Sequence, residues 1–224
     1  MANYSDNVFG ESAFNNSKVK FGAPHAVDFG QESAFSPDGR LYIIGHGAET
    51  PESHQSWMQG DSVYMARTAG APAPASINDV NQWQFWDGAD WNAGPAGVAA
   101  ARPLFVWPGK TGVVTMSWHS ALKKYIVVIS TPSSGCSTVG NFDTYFLESD
   151  SMTGPFSYVS YLSAFGPEAY FVHVSARARA CARACTRSRA HTRARADDRL
   201  FTFSTRTSHV RLGAEQVHGG AERH

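Results

Sequence analysis

The sequence predicts an all-β fold for residues 1–173 and a disordered segment for the residues that follow. All six tryptophans lie before His173, among many Tyr, Phe, Val and Gly residues. This composition favours strands and turns over helices. No apolar stripe with helical spacing and useful length interrupts it.

The two parts of the chain carry opposite charges. Residues 1–173 contain eight Lys and Arg against fifteen Asp and Glu, whereas residues 174–224 contain eleven Arg against four acids. Between Val174 and Ala196 the chain alternates Ala and Arg, and no acid, aromatic or large aliphatic residue follows Val174 there. Such a segment cannot bury a core, and we therefore expect residues 174–224 to be a disordered tail.

We interpret the tail as intron read-through or a frame error. Alternating Ala and Arg are what a GC-rich dinucleotide repeat encodes, and Val174-Ser175 can be written with codons that match a splice-donor signal. A nucleic-acid-binding arm is one alternative, since clustered arginines neutralise phosphates. A metal-binding tract of Cys181, Cys185 and His191 is another, although the paired Cys-x2-Cys geometry of zinc sites is missing.

A first set of four strands is predicted at residues 32–35, 41–45, 61–67 and 82–87. The segment Ser36-Pro37-Asp38-Gly39 separates the first two and places Pro and Gly where a tight turn needs them. A second set is predicted at residues 113–118, 125–130, 143–149 and 156–161, with turns at 119–122 and 150–155. A third set begins at residues 169–173 and stops after one strand.

Four-stranded antiparallel meanders in series are typical of a β-propeller, in which each blade is one such sheet. We therefore predict a partial β-propeller over residues 18–173, with about two blades plus flanking strands. Residues 19–21 would be the last outer strand of a preceding blade, and residues 1–17 a flexible segment or a remnant of that blade. A twisted eight-stranded β-sandwich is the alternative. Because a closed ring needs at least four blades, we expect the isolated chain to be marginally stable and inactive.

The amino terminus and the cysteines say little about the compartment. Met1 to Glu11 is polar, and we expect neither a signal peptide nor a membrane span there. Cys136 is the sole cysteine before the tail, so a disulfide framework is excluded and the compartment is not fixed.

Five phrases of the sequence carry a family resemblance, namely residues 29–33, 36–42, 60–67, 122–125 and 148–156. They resemble five-bladed propellers related to glycoside hydrolase families 43 and 32, and most closely a group of uncharacterised secreted proteins defined as a domain of unknown function. The similarity covers residues 18–173 and none of the tail. Members of the group continue for several blades after the phrase that corresponds to residues 165–173.

The resemblance implies hydrolysis or binding of carbohydrate, with no cofactor. Glycoside hydrolysis needs two carboxyl groups at the scissile bond, and propeller sites lie where first strands line the axis. By this similarity Asp28 or Glu32 would be the base, Glu168 the acid, and Asp61 a carboxylate that orients substrate. Structural alternatives are that Glu32 and Glu168 cap strand ends or pair with Arg67, and that Asp61 holds its own loop.

Aromatic and imidazole side chains complete the predicted site. Trp57, in the long loop of residues 46–60, would be the platform for a sugar ring, because a flat ring covers the apolar face of a pyranose. We also expect substrate contacts from His46, His54 and His119. No pair of histidines has a spacing diagnostic of a metal site, and we expect no metal.

Other function classes lack their signatures. There is no Gly-rich phosphate loop followed by a helix, no Gly-x-Ser-x-Gly elbow and no basic patch before the tail. We therefore expect carbohydrate as the partner, without nucleic acid or membrane. A non-catalytic carbohydrate- or protein-binding propeller module is the alternative to a hydrolase, because fold does not settle function.

Overall fold

The computed structural model describes residues 14–15, 18–49, 57–75, 77–135, 137–176 and 203–204. Within these ranges the chain is mostly β, with antiparallel sheets joined by turns and one short α-helix. The prediction of an all-β chain is confirmed to this extent.

The first sheet consists of seven described strands, which are β1 (Phe14–Asn15), β2 (Lys18–Ala26), β3 (Tyr42–Ala48), β4 (Ser62–Thr68), β5 (Trp83–Trp86), β6 (Trp91–Ala93) and β7 (Phe105–Val106). Strands β1 to β6 lie in sequence order, each antiparallel to its neighbour. Strand β7 pairs with the first two residues of β4, on the edge where β5 pairs with the last three. The predicted strands 41–45, 61–67 and 82–87 correspond to β3, β4 and β5.

Strand β4 lies inside the first sheet and is buried along almost its whole length. Val63 and Met65 pack into one apolar cluster, and Tyr64 and Ala66 pack into another. This alternation follows from the two-residue period of a strand, whose successive side chains point to opposite faces. Both faces of the sheet are therefore covered.

A short helix, α1 (Gly94–Ala100), covers one of these faces. Val98, on this helix, packs with Phe21, Tyr64 and Phe85 of the sheet. Lys20 Nζ donates hydrogen bonds to the carbonyl oxygens at the end of the helix, at 3.0 Å to Val98, 2.9 Å to Ala99 and 3.2 Å to Ala101. The helix and its lysine thus close the flank of the first sheet that faces away from the second.

The second sheet contains β8 (Val113–His119), β9 (Lys124–Pro132), β10 (Phe142–Ser149) and β11 (Ser157–Leu162). These form an antiparallel meander in the order β11-β10-β9-β8. All four predicted strands of the second set are confirmed. The final described strands are β12 (His173–Val174) and β13 (Phe203–Ser204), which pair antiparallel.

The two large sheets pack face to face through one apolar cluster. Its buried members come from both sheets, for example Ile44 and Met65 from the first and Val114 and Ile129 from the second. Partly buried aromatic side chains pack against this cluster: Trp91, Phe105, Trp107, Trp118, Tyr125 and Phe156. Large rings therefore extend the apolar contact between the sheets.

The first strands of successive sheets lie side by side. Asp28, just after β2, forms a parallel bridge with Ser117 of β8, through hydrogen bonds of 2.9 Å from Asp28 N to Met116 O and from Trp118 N to Asp28 O. β8 also contacts the chain that leads into β12, where the side chain of Thr115 donates from Oγ1 to Val172 O at 2.9 Å. Three segments that are distant in the sequence thus meet along one line.

The structure corrects the predicted start of the first sheet. Residues 32–35 do not form a strand; Gln31–Ser33 is a single 3-10 turn, in which Glu32 and Ser33 have φ of 54° and 56°. Ser33 N donates to Gly30 O and Ala34 N donates to Gln31 O, both at 3.1 Å, which are turn bonds and not ladder bonds between strands. The first long strand of this sheet is instead β2, which contains residues 19–21 and pairs with β3.

The strand predicted to begin the third set, residues 169–173, is also shifted. Ala169 and Tyr170 lie in a turn, and the strand begins at His173. Val174 and Ala176, which were assigned to the tail, are buried with 2% and 1% of their surface exposed. The packed body therefore extends at least three residues past the predicted boundary. Most of the predicted tail, with Cys181, Cys185 and His191, lies outside the described residues.

Candidate functional site

A cavity of about 350 Å³ opens where β2, β8 and the chain into β12 meet. Its lining is mostly apolar, with a few polar groups that converge on it, which is the usual composition of a small-molecule site. The residues that line it are His25, Ala26, Asp28, Thr115, Met116, Phe171 and His173.

Asp28 is fixed at this cavity by its backbone and by its side chain. The bridge to β8 engages both the backbone N–H and the backbone C=O of Asp28. The carboxylate accepts hydrogen bonds from two backbone amides, Gly30 N on Oδ1 at 2.7 Å and Ala176 N on Oδ2 at 3.3 Å. Asp28 therefore joins the end of β2 to the segment after β12, and its charge has a defined position.

Two imidazoles from different strands line the cavity. His25 is near the end of β2, and His173 begins β12. Burial lowers the pKa of His25, a hydrogen bond with the backbone of Ala23 opposes this, and the neighbouring His173 lowers the pKa further. His25 is therefore neutral at neutral pH, with one donor and one acceptor nitrogen, and its Nδ1 is buried.

Phe171 supplies the aromatic wall of the cavity. Its ring is 39% exposed, stacks on Trp57 at 5.8 Å with an interplanar angle of 19°, and meets the His25 ring edge-on at 5.5 Å. Trp57 also contacts Tyr170 edge-on at 5.3 Å. Trp57, the predicted platform, thus supports from behind the ring that lines the cavity.

Of the four predicted carboxylates, Asp28 is the one that lines this cavity. Glu32 is exposed in the 3-10 turn after Gly30. Glu168 is exposed in a turn with φ of 58°, and its backbone N–H donates to Gly140 O at 3.2 Å. The structure does not bring either glutamate into the cavity beside Asp28.

Asp61 is 8% exposed and organises loops. Its Oδ1 accepts a hydrogen bond from Gly109 N at 2.9 Å, and its Oδ2 accepts one from Glu49 N at 3.3 Å. This matches the structural alternative, in which the carboxylate holds its own loop. Arg67, the alternative partner predicted for Glu32 and Glu168, lies with its Nη1 3.7 Å from Asp38 Oδ2 instead.

The histidines expected to contact substrate lie elsewhere. His46 is fully buried, and a Cβ atom on Gly22 would lie 2.5 Å from its Nε2, so solvent does not reach this ring. His119 is 7% exposed and accepts a hydrogen bond from Leu122 N at 3.2 Å, which orders the turn after β8. Burial lowers the pKa of His119. His54 lies outside the described residues.

Sequence reasoning missed the contribution of Phe171, His25 and His173 to one site. The run from Tyr170 to His173 places aromatic rings and an imidazole close together in the sequence. This run is the signal that could have indicated a binding site there. The ring of Phe171 and the imidazole of His25 are far apart in the sequence and meet only through tertiary packing. No local spacing of residues could therefore predict their contact.

In the described ranges, no three His, Cys, Asp or Glu side chains are grouped so that they could hold a metal ion. No helix in those ranges has the length and apolar character needed to cross a membrane.

Comparisons with known proteins do not add a family. No protein-family model matches the chain, and a search of curated proteins finds no match.

Proposed function

We propose that the protein is a non-catalytic carbohydrate-binding module, with its site in the cavity lined by Asp28, Phe171 and the two imidazoles. The observation that carries the proposal is the ring of Phe171, 39% exposed, in one cavity with a fixed carboxylate and the imidazoles of His25 and His173. A flat ring covers the apolar face of a sugar, while carboxylate and imidazole atoms bond its hydroxyl groups. The cavity volume lies within the range of small-molecule sites.

The proposed architecture is a wedge of a β-propeller. Its support is the position of the first strands β2 and β8, which lie side by side and parallel at Asp28 and Ser117, with β12 next to β8. The aromatic filling between the sheets is a second support, because packing between blades needs large flat side chains. On this arrangement the cavity would lie on the propeller axis.

Binding is favoured over hydrolysis by the positions of the acids. A glycosidase needs two carboxyl groups about 5 to 10 Å apart across the scissile bond. Asp28 is the one carboxylate that lines the cavity in the described chain, and both of its oxygens accept backbone hydrogen bonds. A single restrained carboxylate suits the recognition of hydroxyl groups.

The proposal is tested by titrating the full chain with neutral saccharides, namely glucose, xylose, arabinose, cellobiose and sucrose, by calorimetry and saturation-transfer NMR. Phe171→Ala should weaken binding about tenfold through loss of the ring contact. Phe171→Leu keeps an apolar wall beside Trp57 and should weaken binding to a similar extent, because the flat face is lost. Asp28→Asn should also weaken it.

Tyr158→Ala is the matched control, since Tyr158 is an aromatic residue that is 58% exposed on β11 and does not line the cavity. It should leave affinity unchanged. Absence of binding, or equal affinity in the Phe171→Leu and parent proteins, would contradict the proposed site. Release of new reducing ends that is abolished by Asp28→Asn would replace the binding module with a hydrolase.

A further inference from the structure

The cavity has one acidic residue and no Lys or Arg among the residues that line it. The acid is Asp28, and the other polar groups of the lining are the two imidazoles and the hydroxyl group of Thr115. The rest of the lining is apolar. A ligand in this space therefore meets a carboxylate on a mostly uncharged wall.

Asp28 has no cation as a partner in the described part of the chain. The ion pairs found there belong to Asp38 and Asp150. The carboxylate of Asp28 accepts hydrogen bonds from backbone amides, which fix its position and leave its net charge in place. Arg177, the next basic residue along the sequence after the lining, lies outside the described residues.

The imidazole of His25 does not supply a positive charge to this carboxylate. Burial lowers the pKa of His25 from the ordinary value of 6.5; a hydrogen bond with Ala23 opposes this effect, and the neighbouring His173 reinforces it. A neutral imidazole does not repel a cation, and its unprotonated nitrogen can accept a hydrogen bond. A positively charged ligand is therefore compatible with this wall of the cavity.

A neutral sugar and a cationic one would differ in their effect on Asp28. Any ligand that fills the cavity removes water from this half-buried carboxylate, which is costly when no opposite charge replaces the water. An ammonium group supplies that charge and donates strong hydrogen bonds. The Phe171 ring, 39% exposed, adds to the attraction, because the face of an aromatic ring attracts cations.

We propose that the saccharides bound in this cavity are amino sugars, whose ammonium group is paired with the carboxylate of Asp28 beside the ring of Phe171. That the ligand is a saccharide rests on the proposed function. The selection of an ammonium group over a neutral group or a carboxylate follows from Asp28 and does not rest on it.

The test compares hexoses that differ in charge. Glucose is neutral, glucosamine and 6-amino-6-deoxyglucose carry an ammonium group at about pH 7, and glucuronate carries a carboxylate. In calorimetric titrations of the full chain, the better of the two amino sugars should bind about tenfold more tightly than glucose, and glucuronate should bind most weakly. N-acetylglucosamine, whose amide nitrogen is uncharged, should not show the advantage of glucosamine.

Asp28→Asn should reduce the preference for the amino sugar over glucose to about twofold or less, because the charge that selects the ammonium group is lost. Asp150→Asn is the matched control, since it removes the same charge from a side chain that is 84% exposed and does not line the cavity. It should keep the full preference. In the parent protein, raising the salt concentration from about 50 mM to about 500 mM should reduce the preference, because salt screens the pair.

Equal affinity of the parent protein for glucose and both amino sugars would overturn the inference and leave a site for neutral sugars in place. A preference that is unchanged in Asp28→Asn would also overturn it. If Asp28→Asn does not fold, the comparison of sugars on the parent protein, with its salt dependence, decides.

Tetramethylammonium, with uncharged tert-butanol as the comparison, separates this inference from the proposed function. Its binding is followed through the NMR signals of the His25 and Phe171 rings in the parent protein and in Asp28→Asn. If tetramethylammonium binds only to the parent and no sugar binds, the proposed function fails and the ammonium site stands. Absence of binding by tetramethylammonium and by both amino sugars would overturn the ammonium site.

Discussion

Asp28 ties together three segments that are distant in the sequence. Its backbone bridges β8, and its carboxylate holds Gly30 and Ala176. The sequence predicted that Asp28 would lie at a convergence of first strands, and the cavity is there. It did not predict Phe171 or His25 as partners, since their contact depends on packing between the start and the end of the described body.

Close backbone approach imposes a second constraint at the scale of single residues. Gly112, at the start of β8, lies where a Cβ atom would be 2.3 Å from Ser130 O and 2.4 Å from Met58 O. Both neighbours are backbone atoms and cannot rotate away. The loop before β4 and the strand β9 therefore approach β8 this closely only because residue 112 has no side chain.

Gly112→Ala should lower the free energy of unfolding by about 2 kcal/mol, because the added methyl group forces the backbone of two segments apart. Urea unfolding followed by tryptophan fluorescence measures this change. Gly70→Ala is the matched control: no atom lies within 4 Å of its Cβ position, and the effect should stay within about 0.5 kcal/mol. Equal effects at the two glycines would contradict the packing described for Gly112.

At the scale of elements, the strands with alternating or continuous apolar residues were predictable. All four strands of the second sheet and β3, β4 and β5 of the first follow from β-branched and aromatic runs bounded by turn residues. Strand β2 contains Gly22, Pro24 and a bulged register against β3, and these features hid it. The short strands β6 and β7 and the Ala- and Gly-rich helix α1 have too little pattern of their own, and tertiary contacts decide their structure.

Helix α1 shows how one long-range contact fixes such an element. Its carbonyl end receives the ammonium of Lys20, which is 78 to 81 positions away in the chain. A cation at the carboxyl end of a helix also interacts favourably with its dipole. The helix therefore depends on β2 for its position over the first sheet.

Lys20→Met should destabilise the protein by about 1 to 2 kcal/mol, because three carbonyl groups lose a charged donor while the apolar stem is kept. Thermal unfolding by circular dichroism, with hydrogen exchange at residues 94–101, measures the loss and its location. Lys124→Met is the control, since the partner carboxylate of Lys124 on Asp150 is 84% exposed and such pairs contribute little. A loss in Lys20→Met without faster exchange at the helix would argue against this role.

At the scale of the whole molecule, the apolar cluster between the sheets couples their stabilities. Ile129 and Val127 of β9 are fully buried beside Ile44 and Met65 of the first sheet. Neither sheet can expose this face without a large loss of apolar burial. The two sheets should therefore unfold together.

Ile129→Ala should lower the free energy of unfolding by about 3 kcal/mol through lost burial and the cavity it leaves. The unfolding curve should keep a single transition, and amide protection in β3 should fall by the same free energy as in β9, as hydrogen exchange would show. Val139→Ala, at a position that is 71% exposed, should change neither. Loss of protection in β9 alone would mean that the sheets are independent units.

The flank closed by α1 and Lys20 has a consequence for biosynthesis. All described strands of the first sheet, and the helix that covers its far side, precede Val113. They therefore leave the ribosome before the second sheet does, and the face that later packs against the second sheet has no partner until then. That uncovered face, which carries Ile44, Val63 and Met65, would be the surface at risk of association with other nascent chains until β8 and β9 emerge.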